Sequence, residues 1–176
     1  MFDFKGAVGR GVITRTGEAP ASFESEFSSG SAEGTGVLNF GRTTYKGVFA
    51  EGNVSGKGIL SDGASVHDGE WRDGVPHGYG CWRTIDGVEQ YEGSFVNGAR
   101  EGQGRHVCRG FGVYEGAWKD NLFHGFGVLK YENGQVYDGK WRAGLRHGRG
   151  RLTISAESFY DGQWRGGWMW GVGTYQ

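Results

Sequence analysis

Tyr137-Asp-Gly-Lys-Trp-Arg-Ala-Gly-Leu-Arg-His-Gly-Arg-Gly150 is the stretch on which the reading of this chain turns. Its first, third and fifth residues run aromatic, glycine, aromatic, a period of two that describes one face of a β-strand. Ala143-Gly144 then marks a turn, and a second strand follows with glycine at the twelfth and fourteenth places. Outward from this stretch the same register returns, starting at Phe23, Tyr45, His67, Tyr91, Tyr114, Tyr137 and Tyr160, with spacings of 22, 22, 24, 23, 23 and 23 residues. The fifth place is aromatic in every copy: Phe27, Phe49, Trp71, Phe95, Trp118, Trp141 and Trp164. The twelfth is glycine from Gly34 to Gly171, and the fourteenth is glycine from Gly36 to Gly173. Chance does not hold such a register.

Each copy is predicted to be a β-hairpin. Asp73-Gly74 and Asn97-Gly98 supply the positive φ that two-residue turns demand. In the second strand the twelfth, fourteenth, sixteenth and eighteenth places share one face, and the two glycines leave room there for neighbouring rings. Asp62-Gly63, Asp86-Gly87 and Asn133-Gly134 lead from one copy to the next. A lone hairpin cannot bury its rings, so copies must stack on one another. The expected fold is all-β, an elongated single-layer antiparallel meander forming one array over residues 1–176. Residues 1–22 read as a partial copy, because Gly9 and Gly11 fit the twelfth and fourteenth places. The expectation is a segment of a longer array, or one whose ends pair with another molecule.

Composition agrees. Glycine contributes 37 of 176 residues, against an average near 7%. Seven Trp, eight Tyr and eleven Phe give the chain plenty to bury, which argues against disorder. A net charge of −1 predicts no general attraction to nucleic acid or anionic membranes. No apolar run is long enough to span a bilayer and no signal peptide is evident. Two cysteines suit a reducing, cytoplasmic setting.

The stretch 137–150 closely resembles the consensus of the MORN (membrane occupation and recognition nexus) repeat, and the resemblance covers nearly the whole chain. Departures are few: Ser25 for a glycine, His67 for a tyrosine and Asn121 for a turn glycine. The family resemblance implies a non-catalytic scaffold or adaptor. It is most similar to the repeat-only cytoskeletal scaffold proteins of protists, with cytoskeletal proteins as partners and a cytoskeletal or membrane-peripheral location. It also implies an aromatic groove able to dock a peptide, lined here by Tyr91, Phe95, Tyr114, Trp118, Tyr137, Trp141 and Tyr160. Phospholipid binding, the property that named the family, would fall to Arg142, Arg146, Arg149, Arg151 and Arg165, a cluster whose plainer reading is a solvated surface.

Catalytic look-alikes fail on spacing. Gly52-Asn-Val-Ser-Gly56-Lys57-Gly58 is one residue short of a phosphate loop and lacks its Ser or Thr. His77, His124 and His147 share the eleventh place, which fits a turn or interface preference better than a triad. The acidic second place (Glu92, Glu115, Asp138, Asp161) lies opposite the aromatic face as a solvated edge. No catalytic residue is expected and no cofactor is required.

Two breaks in the pattern stand out. His106 and Cys108 occupy the sixteenth and eighteenth places, which are apolar in Leu129 and Tyr131 and in Leu152 and Ile154. They either fill ordinary packing slots or supply half of a zinc site completed across a two-fold axis. Cys81 falls on the opposite face and is not a disulfide partner for Cys108. The other break is the last hairpin, where Trp164, Trp168, Met169 and Trp170 crowd together. These four are expected to form a homodimer interface.

Overall fold

Rings and glycines in alternation, cut at intervals by residue pairs that tolerate a left-handed backbone, fold as their period demands. The computed structural model describes residues 9–15 and 21–176, and among these it contains fifteen strands and no helix. The strands divide into two units between Asp86 and Gly87. The first holds β1 (Gly9–Arg15), β2 (Ala21–Ser28), β3 (Ser31–Phe40), β4 (Thr43–Ala50), β5 (Asn53–Ser61), β6 (Ser65–Arg72) and β7 (Val75–Thr84). The second holds β8 (Glu89–Val96), β9 (Ala99–Cys108), β10 (Gly112–Lys119), β11 (Leu122–Tyr131), β12 (Val136–Arg142), β13 (Leu145–Thr153), β14 (Phe159–Arg165) and β15 (Trp168–Tyr175). Within each unit every strand pairs antiparallel with the next in sequence, so each is a meander built of the predicted hairpins. In the partial copy, Gly9 and Gly11 stand opposite Phe27 and Ser25, the register of the twelfth and fourteenth places elsewhere. Residues 1–8 and 16–20 of that copy lie outside the described residues.

The hairpin turns have positive φ at both central residues, as at Asn97-Gly98 (49° and 81°) and Asp120-Asn121 (50° and 66°). This is the turn whose twist matches that of paired strands. Ala143 adopts it as well, at φ 48°. There a Cβ is penalised with no side-chain hydrogen bond to offset it, so Ala143→Gly is expected to stabilise the protein by about 1 kcal/mol. Urea denaturation measures this, and an unchanged or lowered midpoint would contradict it. In the later copies the turn is also tied to the copy before it: the amide of Asn121 donates to Arg100 O (3.2 Å), that of Gly144 to Phe123 O (2.9 Å) and that of Gly167 to Arg146 O (3.0 Å).

The two glycine columns have different causes. The twelfth place adopts a left-handed backbone, as at Gly148 (φ 58°), where the pairing of β12 with β13 shifts between Gly139 and Trp141. The fourteenth yields space to a ring: a Cβ on Gly150 would lie 2.5 Å from Cζ of Tyr137, in the same copy. The expectation that both columns make room therefore holds for the fourteenth and is replaced by a backbone requirement at the twelfth. With its ring seated over the glycines, each tyrosine donates its hydroxyl to the carbonyl of the fourth place: Tyr45 to Val48 (3.1 Å), Tyr114 to Ala117 (2.8 Å) and Tyr137 to Lys140 (3.0 Å). Burial pushes the Tyr45 hydroxyl up to about 12 and raises those of Tyr114 and Tyr137 as well. The tryptophans reach the other way: Trp141 Nε1 donates to Gly127 O (3.0 Å) and Trp164 Nε1 to Gly150 O (2.8 Å), both carbonyls in the preceding copy.

Departures from the pattern are coupled. In the copy starting at Phe23 the missing hydroxyl leaves space at the third place, and Ser25 fills it, buried, with its Oγ donating to Glu33 O (3.3 Å). No helix among the described residues is long and apolar enough to cross a membrane.

Candidate functional site

The rings of the second unit form one continuous edge-to-face ladder. From Phe95 it passes to Tyr91 (5.0 Å between centroids), Trp118 (5.1 Å), Tyr114 (5.3 Å), Trp141 (5.7 Å), Tyr137 (4.9 Å), Trp164 (5.3 Å) and Tyr160 (5.3 Å). Offset and T-shaped contacts of this kind are the favoured geometry for aromatic pairs. The seven residues expected to line a groove, Tyr91, Phe95, Tyr114, Trp118, Tyr137, Trp141 and Tyr160, all belong to it. They are only 0–7% exposed. Packed edge to face, the rings cover one another, so they are core and present no ring faces to a ligand.

A column without uniform identity completes this cover. The tenth place stands across the turn from the fifth and carries Arg100, Phe123 and Arg146 in successive copies. Arg100 lies over Trp118 (4.5 Å) and Tyr91 (5.6 Å), and Arg146 over Trp164 (4.2 Å) and Tyr137 (5.8 Å). Phe123 stacks on Tyr114 at 3.8 Å. The tenth place escapes a reading based on identity because an arginine and a phenylalanine do the same work there. Its only sequence signal is its place opposite the fifth-place aromatic in the hairpin.

His106 is buried against Trp118, with Nε2 donating to Glu89 Oε1 at 2.7 Å. Arg100 Nη1 lies 3.9 Å from the same carboxylate oxygen. Burial pulls the Arg100 guanidinium below its ordinary value, and Glu89 opposes that shift. Nδ1 of His106 is buried without a hydrogen-bond partner among the described residues. Cys108 is half-buried, and its thiol faces Arg109 O at 3.7 Å. Among the described residues no group of three or more His, Cys, Asp or Glu side chains is placed to hold a metal ion. Other copies keep leucine where His106 stands, as at Leu129 and Leu152. His106→Leu is therefore expected to raise stability by about 1 kcal/mol, since it removes an unsatisfied buried nitrogen. A fall in the melting temperature would show that the Glu89 pair outweighs that cost.

The five late arginines do not share one face. Arg146 belongs to the ring ladder. Arg149 pairs with Asp161 (3.8 Å), Arg151 covers Phe159 (3.9 Å), Arg165 covers Trp170 (5.2 Å), and Arg142 is exposed beside its turn. The acidic second place is engaged at Asp161, as just described, and at Glu115, whose Oε1 accepts from Arg105 Nε at 2.9 Å. In the last hairpin Trp168, Met169 and Trp170 are exposed, but Trp164 is buried beneath Arg146. The fifth place is covered by the preceding copy and needs no following one, so Trp164 drops out of the expected interface patch. At the eleventh place, Glu33 accepts from the amide of Glu51 (2.9 Å) and Glu101 from that of Asp120 (3.0 Å), each bracing the next copy's turn.

With the rings enclosed, some of the exposed apolar side chains stand at the hairpin turns. In three successive copies a basic residue at the sixth place stands directly opposite an apolar one at the ninth: Lys119 with Leu122, Arg142 with Leu145 and Arg165 with Trp168. The three bases are exposed, and the apolar partners are 47%, 52% and 80% exposed.

Five stretches of the chain, residues 67–88, 91–113, 114–136, 137–155 and 160–176, match the family model of the MORN repeat. The copies starting at Phe23 and Tyr45 lie outside the matched stretches. No curated protein matches the chain.

Proposed function

The chain belongs to the MORN-repeat family, whose model matches more than half of its residues, and from that premise we propose that it is a non-catalytic scaffold that self-associates. Repeats of this kind make a binding or scaffold protein. The finer reading adds a homodimer that supports a cytoskeletal or membrane-associated assembly. One observation carries it: every residue of β15 is exposed, Trp168, Trp170, Val172 and Tyr175 among them. Exposed apolar strands with an unpaired edge favour the addition of another strand. Light scattering at tens of micromolar is the test. The reading expects a dimer that Trp168→Ser with Trp170→Ser converts to a monomer, and a monomeric parent chain would refute it.

A second reading, binding to anionic phospholipid, is supported by the exposed bases beside exposed apolar residues at the turns. Sedimentation with anionic vesicles separates the two. A lipid reader pellets with the vesicles and is released as salt rises, whereas a scaffold stays in the supernatant.

A further inference from the structure

We infer that the turn edge formed by β10 to β15 is a docking rail for an acidic amphipathic helix of a partner protein. The inference rests on the scaffold reading but not on self-association. Three observations carry it.

The first is the pairing just described. Lys119/Leu122, Arg142/Leu145 and Arg165/Trp168 repeat one chemical unit, a positive charge facing an exposed apolar side chain, in three consecutive hairpins. The copy before them differs, with Val96 opposite Ala99 and no charge. Asp120 is the only acidic residue within the three turns, and the Glu101 carboxylate accepts its backbone amide, so the carboxylates at this edge gather at the first hairpin and the two that follow carry none in their turns.

The second is spacing. Strands lie about 4.8 Å apart, so successive hairpins recur about every 9.6 Å. That distance is kept out to the turns, because Asn121, Gly144 and Gly167 each donate an amide hydrogen bond to the preceding copy. Leu122 and Leu145 extend the contact, each lying 3.8 Å from where a Cβ on Gly144 or Gly167 would stand. Seven residues of α-helix rise about 10.5 Å. One hairpin therefore matches one heptad, and a helix laid along the edge sets an apolar residue against each of Leu122, Leu145 and Trp168 in turn.

The third is availability. The rings that would form a groove are closed by Arg100, Phe123 and Arg146, and of the apolar side chains left exposed in β10 to β15, Leu122, Leu145 and Trp168 recur at one place in three successive hairpins, whereas Phe126 and Val172 stand away from the turns. Charge complementarity selects the occupant. Its apolar positions must be flanked by carboxylates, the arrangement of the outer positions of a coiled-coil helix.

The test uses the full chain and a fluorescent synthetic helix about three heptads long, with leucine seams flanked by glutamate. A second peptide has the same composition with its leucine spacing scrambled, and a third has lysine in place of glutamate. Fluorescence anisotropy is expected to show the first peptide binding at least tenfold tighter than either control. Leu145→Asp and Arg142→Glu are each expected to weaken it at least tenfold, with melting temperatures unchanged because both side chains are exposed. Val96→Glu, one hairpin earlier, should leave binding unaltered. Equal binding of the scrambled peptide would overturn the inference in favour of bulk charge attraction. No binding at several hundred micromolar would overturn it outright, as would capture by anionic vesicles alone when Leu145 and Arg142 are intact. Light scattering on the same samples reports self-association separately, so failure of the rail and failure of the scaffold reading are distinguishable.

Discussion

Gly150→Ala destabilises the protein by about 3–5 kcal/mol, far more than an alanine costs at an ordinary strand position. The added Cβ would sit 2.5 Å from Cζ and 2.8 Å from Cε2 of Tyr137, and the ring has nowhere to go. Trp141 and Trp164 hold it edge-on from both sides at 4.9 and 5.3 Å, and its hydroxyl is tied to Lys140 O. Gly134→Ala is the control. That glycine has positive φ (86°), but nothing lies within 4 Å of its Cβ position, so only the backbone penalty of about 1–2 kcal/mol applies. Urea midpoints for the two variants give the comparison, and similar costs at both sites would show that want of space does not fix the fourteenth place.

A second large effect is expected at Trp141. Trp141→Ala removes a buried indole whose ring edges support both Tyr114 and Tyr137, with an expected cost of about 3–5 kcal/mol. Trp141→Phe keeps most of the packing, as Phe49 and Phe95 do in their copies, but leaves the Gly127 carbonyl without its donor. Its cost should be about 1–2 kcal/mol. Should phenylalanine cost as much as alanine, the hydrogen bond to the preceding copy would outweigh the ring packing. If it costs nothing, the bond is dispensable.

The hairpins, their turns and their order were legible because each rests on a residue type that repeats. Asn97-Gly98 announces its turn, and Asp120-Asn121 adopts the same backbone, as an asparagine in a glycine's place should. Other features were illegible because their cause is a contact between different columns. Nothing in the run Arg100, Phe123, Arg146 announces a shared role until the tenth place is seen to cover the rings. The same holds for enclosure. Alternation told which face Tyr114 and Trp141 occupy, but not that their edge-to-face packing would leave them no surface for a ligand. Ser25 is an intermediate case. It is visible as a departure from the glycine column, yet explicable only with the missing hydroxyl of Phe23. His106 was legible as an exception, whereas its partner Glu89 stands at the start of β8, two residues before the first column, where no column directs attention.

The hydrogen bonds of the two ring types give the array a direction. Each tyrosine secures its own hairpin, and each tryptophan clasps the one before. Deleting residues 114–136 would bring Trp141 to Gly104 O, the carbonyl that Trp118 now occupies at 3.1 Å, and would regenerate the same junction. Copy number in such a chain is thus free to change by whole-unit duplication or loss without redesign of any interface. Gain or loss of a copy such as the one at 114–136 would lengthen or shorten the turn edge by one basic and apolar pair, so the reach of the scaffold and its grip on a partner would change together.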